Sequence, residues 1–302
     1  MSDYRYQLEK YNGMKTRYTC PNCGKSKKFS RYIDTQTNEY LSNVVGYCER
    51  INNCGYHYKP KQYFQDNNIS SSKIISVPFI KKQPKPKVSF FNFEDMNNSV
   101  LSKKPNYFIN FLAKIWNREK AEFLAKKYNI GNSIHWNGAT TFWQQDMKGN
   151  VRTGKIILYN SDTGKRIKKY FPSWEHKKRK LNNFNLEQCF FGEHLINIDR
   201  SKPIAICESE KSAIICSEFF PQFIWIATGG IHNLSRDKSK VLKGRNVILF
   251  PDVAAYDLWN DKVPKLTSLA SFRISTLLEK NATEQERKDG LDIADYLLRT
   301  LS

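Results

Sequence analysis

The sequence predicts a mixed α/β protein: an N-terminal cysteine ribbon, a basic middle region of helix and strand, and a C-terminal, mostly parallel, Rossmann-like sheet. Three observations carry this prediction. Four of the seven cysteines fall between residues 20 and 54, a local cluster rather than a disulfide framework. Between about 100 and 190 a helical stretch is followed by alternating strand-like runs and a crowd of Lys and Arg. Beyond residue 200, short apolar runs alternate with helix-forming sequence, the pattern of parallel strands joined by crossover helices.

At the front, Cys20-x2-Cys23 and Cys48-x5-Cys54 form two close pairs separated by 24 residues. Two turn-borne thiolate pairs are what a tetrahedral zinc ion needs, and "CPNCG" and "NCGY" supply turn residues for them. The expected site is structural zinc on Cys20, Cys23, Cys48 and Cys54, with His57 as the alternative to Cys54. Four protein ligands leave no open position for catalysis. Lys25, Lys27, Lys28 and Arg31 lie among Phe29, Tyr32, Tyr40, Tyr47, Tyr56 and Tyr58. Cations among aromatics suit a single strand, phosphates on the cations and bases on the rings. About half of these rings are expected to fill the ribbon's own small core instead.

Residues 66–98 contain "NNISSSK" and "KKQPKPKVS" and read as a Lys/Pro-rich linker. The expected domains are therefore 1–65, 99–200 and 201–302. In the middle region Phe108, Phe111, Leu112, Ile115, Phe123 and Leu124 recur at helical spacing, with Gly131 as the stop. A three-stranded meander follows, with turns at "DMKGN" and "NSDTG". "GNVRTGKI", 149–156, matches the first seven positions of a phosphate-binding loop, G-x-x-x-x-G-K-[ST]. Ile156 lacks the required hydroxyl and "IILY" continues as strand, so a nucleotide-driven motor is not expected. Between Lys165 and Lys180 lie eight Lys or Arg and one acid, Glu175. Strand alternation would place Arg166 and Lys168 on one face and Lys165 and Lys169 on the other.

In the C-terminal region a strand over 203–207 leads into acids at the turn and a helix from about Lys211. Glu208 thus follows one strand, and Asp252 follows another at 246–250. Carboxyl ends of strands are where open α/β sheets bind ligands. Two carboxylates on neighbouring strand ends can hold Mg²⁺ and leave room for phosphates. "ATGG", 227–230, ends the strand between them, and "KDGLDIADYLL" supplies Asp292 and Asp295. Asp292 is expected to approach the same metal, and Asp295 to be a helix-surface acid.

Composition narrows the partners. Forty-nine Lys and Arg against 29 Asp and Glu give a net charge of +20. Nucleic acid is the leading partner for so many distributed cations. A membrane is the poorer one, since neither a basic amphipathic helix nor an apolar spanning run stands out. The N-terminal residues resemble no secretion signal, so a cytoplasmic protein is expected.

"PIAICESEKSA" resembles the first motif of Toprim domains, the fold shared by DnaG-type primases, topoisomerases and some nucleases. "ATGG" is similar to the family's second strand turn, "VILFPDVAAYDLW" to its Asp-x-Asp strand, and "FFGEHLI", 190–196, to a segment that precedes the domain in mobile-element primases. The resemblance implies a ribbon, linker, basic subdomain and Toprim order. It implies Glu208 as general acid/base and Asp252, with Asp292, as ligands of Mg²⁺ or Mn²⁺. It further implies nucleotidyl transfer from nucleoside triphosphates on single-stranded DNA, with RNA as an alternative template. The template cations would be Lys27, Lys28, Arg31, Lys155, Arg166, Lys168, Lys169 and Lys211. A separate helicase or other replication or mobile-element proteins would be partners. The chain departs from the motif at Ala254, where the second acid of Asp-x-Asp is missing; Asp257 is the candidate substitute. That departure keeps two other readings open: a catalytically degenerate Toprim protein that binds single strands as an accessory, and a Toprim nuclease.

Overall fold

The computed structural model describes residues 4–50, 53–69, 87–253 and 255–300. Ala254 and residues 70–86 of the expected linker lie outside the described residues. The chain forms two compact units, Met1–Lys85 and Pro86–Ser302.

In the first unit four short strands, β1 (Tyr6–Leu8), β2 (Phe29–Asp34), β3 (Gly46–Cys48) and β4 (His57–Tyr58), make one antiparallel sheet in sequence order. Helix α1 (Pro60–Asp66) follows, started by a proline that has no N–H to leave unpaired. Among the described residues of this unit the buried apolar side chains are Cys20, Phe29, Val45 and Cys48, with Tyr18, Cys23, Cys54 and Tyr56 packed around the cysteines and Phe29. So small a core cannot hold a sheet by burial alone. Packing is also tight: a Cβ at Gly46 would stand 2.2 Å from the Ser30 carbonyl oxygen. Of the six ribbon aromatics expected near the cations, Phe29 is fully buried and only Tyr40 is exposed, at 41%. Tyr40 stands edge-on to Tyr18, and their hydroxyls are 2.7 Å apart. These six rings therefore do not form the row of open faces that a stacking platform needs, because most of them pack inside the unit.

The second unit opens with α2 (Phe93–Val100), α3 (Tyr107–Ile115) and α4 (Arg118–Lys127). The expected linker reached too far. Phe91 and Met96 are buried against Trp143 and Val151, so packed structure begins before residue 98. The expected long helix is two, broken at Trp116; Asn117 caps the second by accepting the Lys120 N–H at 2.8 Å. Gly131 is not its stop but part of a strand, where a Cβ would overlap Ser99 Oγ. Phe123 faces solvent at 55% exposure.

An antiparallel sheet follows in the order β5 (Ile130–Asn132), β6 (Thr140–Gln145), β7 (Val151–Ile157), β8 (Ser173–Trp174), trailed by the short helix α5 (Glu175–Lys178). "GNVRTGKI" is turn and strand β7, as its glycines suggested. The third strand of the expected meander is displaced. Residues 165–169 form no strand: Arg166 makes an isolated bridge to Tyr159 and the Ile167 N–H donates to the Leu158 carbonyl at 3.0 Å, both beyond the end of β7, while β8 takes the ladder position beside β7. Strand alternation therefore does not sort Lys165 to Lys169 between two faces.

The last sheet is wholly parallel, β10 (Ile224–Ala227), β9 (Ile204–Cys207), β11 (Asn246–Phe250), β12 (Ser271–Ile274) in that spatial order. Helix α6 (Glu210–Phe219) crosses from β9 to β10, and α7 (Tyr256–Asn260), α8 (Val263–Leu266), α9 (Leu277–Asn281), α10 (Glu284–Asp289) and α11 (Ile293–Leu298) complete the unit. β9 and β10 are buried at every residue, as continuous apolar runs in a covered parallel sheet must be. One apolar core joins Phe108, Leu112, Leu124 and Phe142 of the middle region to Ile206, Ile214, Trp225 and Leu249 of the parallel sheet. The expected boundary at 200 is therefore not a gap in packing. Among the described residues, no helix is long and apolar enough to cross a membrane.

Candidate functional site

In the ribbon unit, the sulfurs of Cys20, Cys23, Cys48 and Cys54 all lie within 4.8 Å of one another. The Cys20–Cys54 and Cys23–Cys48 separations are 3.8 and 4.0 Å. A tetrahedral zinc with Zn–S bonds of about 2.3 Å needs sulfur–sulfur edges of about 3.8 Å. The four sulfurs thus fit a structural zinc ion, with Cys54 completing the group. His57 instead places Nε2 2.9 Å from the Tyr32 hydroxyl. Each knuckle is closed by a glycine at positive φ, Gly24 at 66° and Gly55 at 63°. The Asn22 side-chain amide and the Tyr56 backbone N–H pull the Cys54 thiol down to about 6, favouring the thiolate a metal needs. Lys27 and Lys28 are exposed nearby in sequence, whereas Arg31 lies over the Tyr18 ring at 3.9 Å.

In the second unit an open cleft of about 910 Å³ lies at the carboxyl ends of β9 and β11. Glu208, Glu210, Lys211, Asp252, Asp292 and Asp295 come together there. Lys165, Arg166 and Lys168 also line it, their side chains exposed. β9 and β11 are direct neighbours in register, Cys207 opposite Phe250, so Glu208 and the Pro251–Asp252 turn leave the sheet side by side. β10 lies on the other side of β9, so "ATGG" flanks the acids rather than separating them in space. The Gly229 N–H donates to the Glu208 carbonyl at 2.9 Å, locking that turn to the acid-bearing one. Asp292 is brought in by its own loop: the Val253 N–H donates to the Leu291 carbonyl at 3.1 Å, and Asp292 caps α11 by accepting the Asp295 N–H at 2.8 Å.

Electrostatics set these carboxylates apart. Burial pushes Asp252 well above the usual carboxylate range, and the charges of Asp292 and Glu208 push it further. Asp252 Oδ1 is buried with no hydrogen-bond partner. Glu208 is also raised, chiefly by burial, against the opposing pull of the Ile231 N–H and Lys155. A buried carboxylate oxygen without a donor is what a hard divalent cation would satisfy, and Mg²⁺ commonly takes only one or two protein carboxylates besides water. The residues present fit one such ion on Asp252 and Glu208. They do not make a dense carboxylate cage: among the described residues, the four cysteines are the only group of three or more His, Cys, Asp or Glu whose ligand atoms all lie within 4.8 Å.

Both acids have raised folded-state values, so their contribution to stability is present at low pH and lost as pH rises through those values. A cation binding the ionised pair offsets that loss. The stabilisation by added Mn²⁺ is therefore expected to be larger at about pH 8 than at about pH 5.5. Thermal unfolding of the zinc-loaded chain with and without Mn²⁺ measures it; equal gains at both pH values would remove this pair as ligands.

The remaining site residues fall in different places. Asp257 is exposed on α7, in a shallow depression with Glu279 and Arg287, and does not line the cleft. Lys169 is exposed but is not part of the cleft wall. Lys155 is turned inward: its Nζ donates to both Glu210 oxygens and to the Gly229 carbonyl, each at 3.1 Å. Lys211 is buried and its Nζ donates to Asp295 Oδ1 at 2.5 Å and pairs with Asp292 Oδ2 at 3.2 Å. Burial alone would lower Lys211, but Asp292 and Asp295 outweigh it and raise it. Sequence reasoning missed Glu210, which is 1% exposed and is the inner partner of Lys155. The available signal was Lys155 itself, a lone cation inside the apolar strand "GKIILY" that needs a buried counter-charge.

Comparison with known proteins adds two family matches. Residues 106–253 match a family described as Domain of unknown function (DUF6371), a span that runs across position 200. Residues 4–69 match a zinc beta-ribbon finger family, in agreement with the four-sulfur site. No curated protein matches the chain. Among solved structures it is similar to the primase fragment of the bacteriophage T7 primase-helicase protein, at 13% identity and a TM-score of 0.36, covering 91% of this chain and 98% of that one. It is also similar to the DnaG catalytic core, at 14% identity and a TM-score of 0.42, covering 68% and 79%. The Aquifex aeolicus primase, zinc-binding and RNA polymerase domains, aligns at 14% identity and a TM-score of 0.35, covering 97% and 83%. Likenesses this loose carry no argument by themselves, and the functional reading rests on the chain's own residues.

Proposed function

We propose that this chain is a Toprim-type, primase-like nucleotidyltransferase that joins nucleotides on a single-stranded DNA template, in replication of DNA or of a mobile element. The observation that supports it most is the unpartnered, buried Asp252 oxygen, raised further by the charge of Glu208, in a cleft also lined by Lys165, Arg166 and Lys168. Asp252 and Glu208 would hold a divalent cation, Mg²⁺ or Mn²⁺, which when bound supplies charge stabilisation to a reacting triphosphate. Lys165, Arg166 and Lys168 neutralise phosphates entering the cleft. Glu208, raised by burial, keeps its proton to higher pH than an ordinary carboxylate, the property a general acid/base uses. Structural zinc keeps the ribbon folded so that Lys27, Lys28 and Arg31 can engage the template.

A second reading, a degenerate site in a single-strand-binding accessory, draws on Ala254 in place of a second acid and on the absence of Asp257 from the cleft. Primer synthesis on single-stranded DNA with labelled nucleoside triphosphates and Mg²⁺ or Mn²⁺ decides between them. Product is expected, with Glu208→Gln and Asp252→Asn each lowering it by about 10²-fold or more. Undiminished product from either variant overturns that residue's role. No product from any form, with salt-sensitive strand binding intact, leaves the accessory reading standing.

A further inference from the structure

The cleft already contains a positive charge held on carboxylates. Lys211 stands in the first turn of α6, three residues after Glu208, and its side chain is only 9% exposed. Its ammonium group is held between Asp292 and Asp295 at 3.2 and 2.5 Å, both on or capping α11. Asp252 lies on the other side of this arrangement in chemical terms: its Oδ1 has no donor, so the ammonium is not engaged there. With Glu210 taken by Lys155, four of the cleft's acids divide into a pair with no ammonium bound to it, Asp252 and Glu208, and a pair that Lys211 neutralises, Asp292 and Asp295.

We propose that the Lys211 ammonium is a tethered cation occupying the place of a second divalent ion, so that the cleft takes one divalent ion where four carboxylates could otherwise hold two. A lysine can do this because its ammonium is a compact point charge with three donors, able to bridge two carboxylates without a planar partner. The consequence is a permanent positive charge at Asp292 and Asp295 that neither dissociates nor varies with the concentration of free Mg²⁺. The inference rests on the reading that Asp252 and Glu208 hold a divalent ion.

Mn²⁺ binding to the zinc-loaded full chain, counted by the loss of the free-ion electron paramagnetic resonance signal, tests it without any activity assay. One Mn²⁺ per wild-type chain is expected, and two in Lys211→Met and Lys211→Gln, because the vacated carboxylates become available. Both variants should melt lower than wild type without Mn²⁺ and gain more in Tm on its addition. One Mn²⁺ in all three proteins overturns the tethered-cation assignment and leaves the proposed function intact; so does two in wild type. No Mn²⁺ in the wild type overturns both. Variants that stay unfolded at millimolar Mn²⁺ also overturn it, since an ion that cannot restore the fold does not fill the ammonium's place.

Discussion

Cys48→Ser is expected to release zinc and unfold the ribbon unit while leaving the unit from Pro86 onward folded. The reason is the size of what the metal replaces. Among its described residues the ribbon's buried apolar set is four side chains, two of them cysteines of the four-sulfur site. A core of that size cannot offset the backbone entropy of some sixty ordered residues, at about 1–2 kcal/mol each. Structural zinc in comparable small domains contributes about 10–16 kcal/mol at neutral pH, as much as the whole stability of an ordinary domain. Cys48 is the most sensitive of the four to remove: it is fully buried, and its strand pairs with both β2 and β4. Metal content by mass spectrometry should fall from one zinc per chain to none. Hydrogen exchange should show β2 losing protection while β9 and β11 keep theirs. Full protection of β2 in a metal-free variant would show that the fold does not depend on zinc.

What could be read from the sequence, and what could not, follows the range over which each signal acts. The cysteine site is local: two turns, each with a glycine, bring four sulfurs together, and spacing with the turn glycines pointed to the set, His57 remaining the alternative to Cys54. Strands β9 and β10 were also visible, because a strand buried on both faces must be a continuous apolar run, and β11 read as such a run although only Val247 and Leu249 of it are buried. The break at Trp116 was invisible, since periodicity persists across a helix–helix junction when both helices face the same core. The cleft's charges were harder still. Lys155, Lys165, Lys211 and Arg166 look alike as letters, yet two are internal counter-ions and two are open to solvent. The difference is whether a carboxylate distant in sequence, Glu210 or Asp292, lies opposite. Asp292 and Asp257 were likewise equal candidates until the Val253–Leu291 hydrogen bond drew one into the cleft and α7 turned the other away.

Lys155→Met is expected to lower the stability of the second unit by about 3–5 kcal/mol, the range for leaving one member of a buried ion pair alone. Glu210 has a side-chain exposure of 1% and Lys155 of 13%, so water cannot take over the lost interaction. The Gly229 carbonyl loses a donor in the same step. In a unit of this size the shift corresponds to a fall in Tm of about 10 °C. The double variant Lys155→Met, Glu210→Met should recover most of the loss, because replacing a buried pair by apolar groups of similar volume is often close to neutral. This series also separates two roles for the same lysine. A phosphate-contacting Lys155 would leave stability unchanged on substitution and reduce the salt dependence of strand binding by about one ion. An internal Lys155 does the reverse: the unit melts lower, and the salt slope of the folded protein stays where it was. The three hydrogen bonds of its ammonium favour the internal role, in which it ties β7 to the first turn of α6 and to the "ATGG" turn. Glu208 lies in the turn between β9 and α6, so this tie also holds the cleft's central acid in place, and the stability series reads that hold directly.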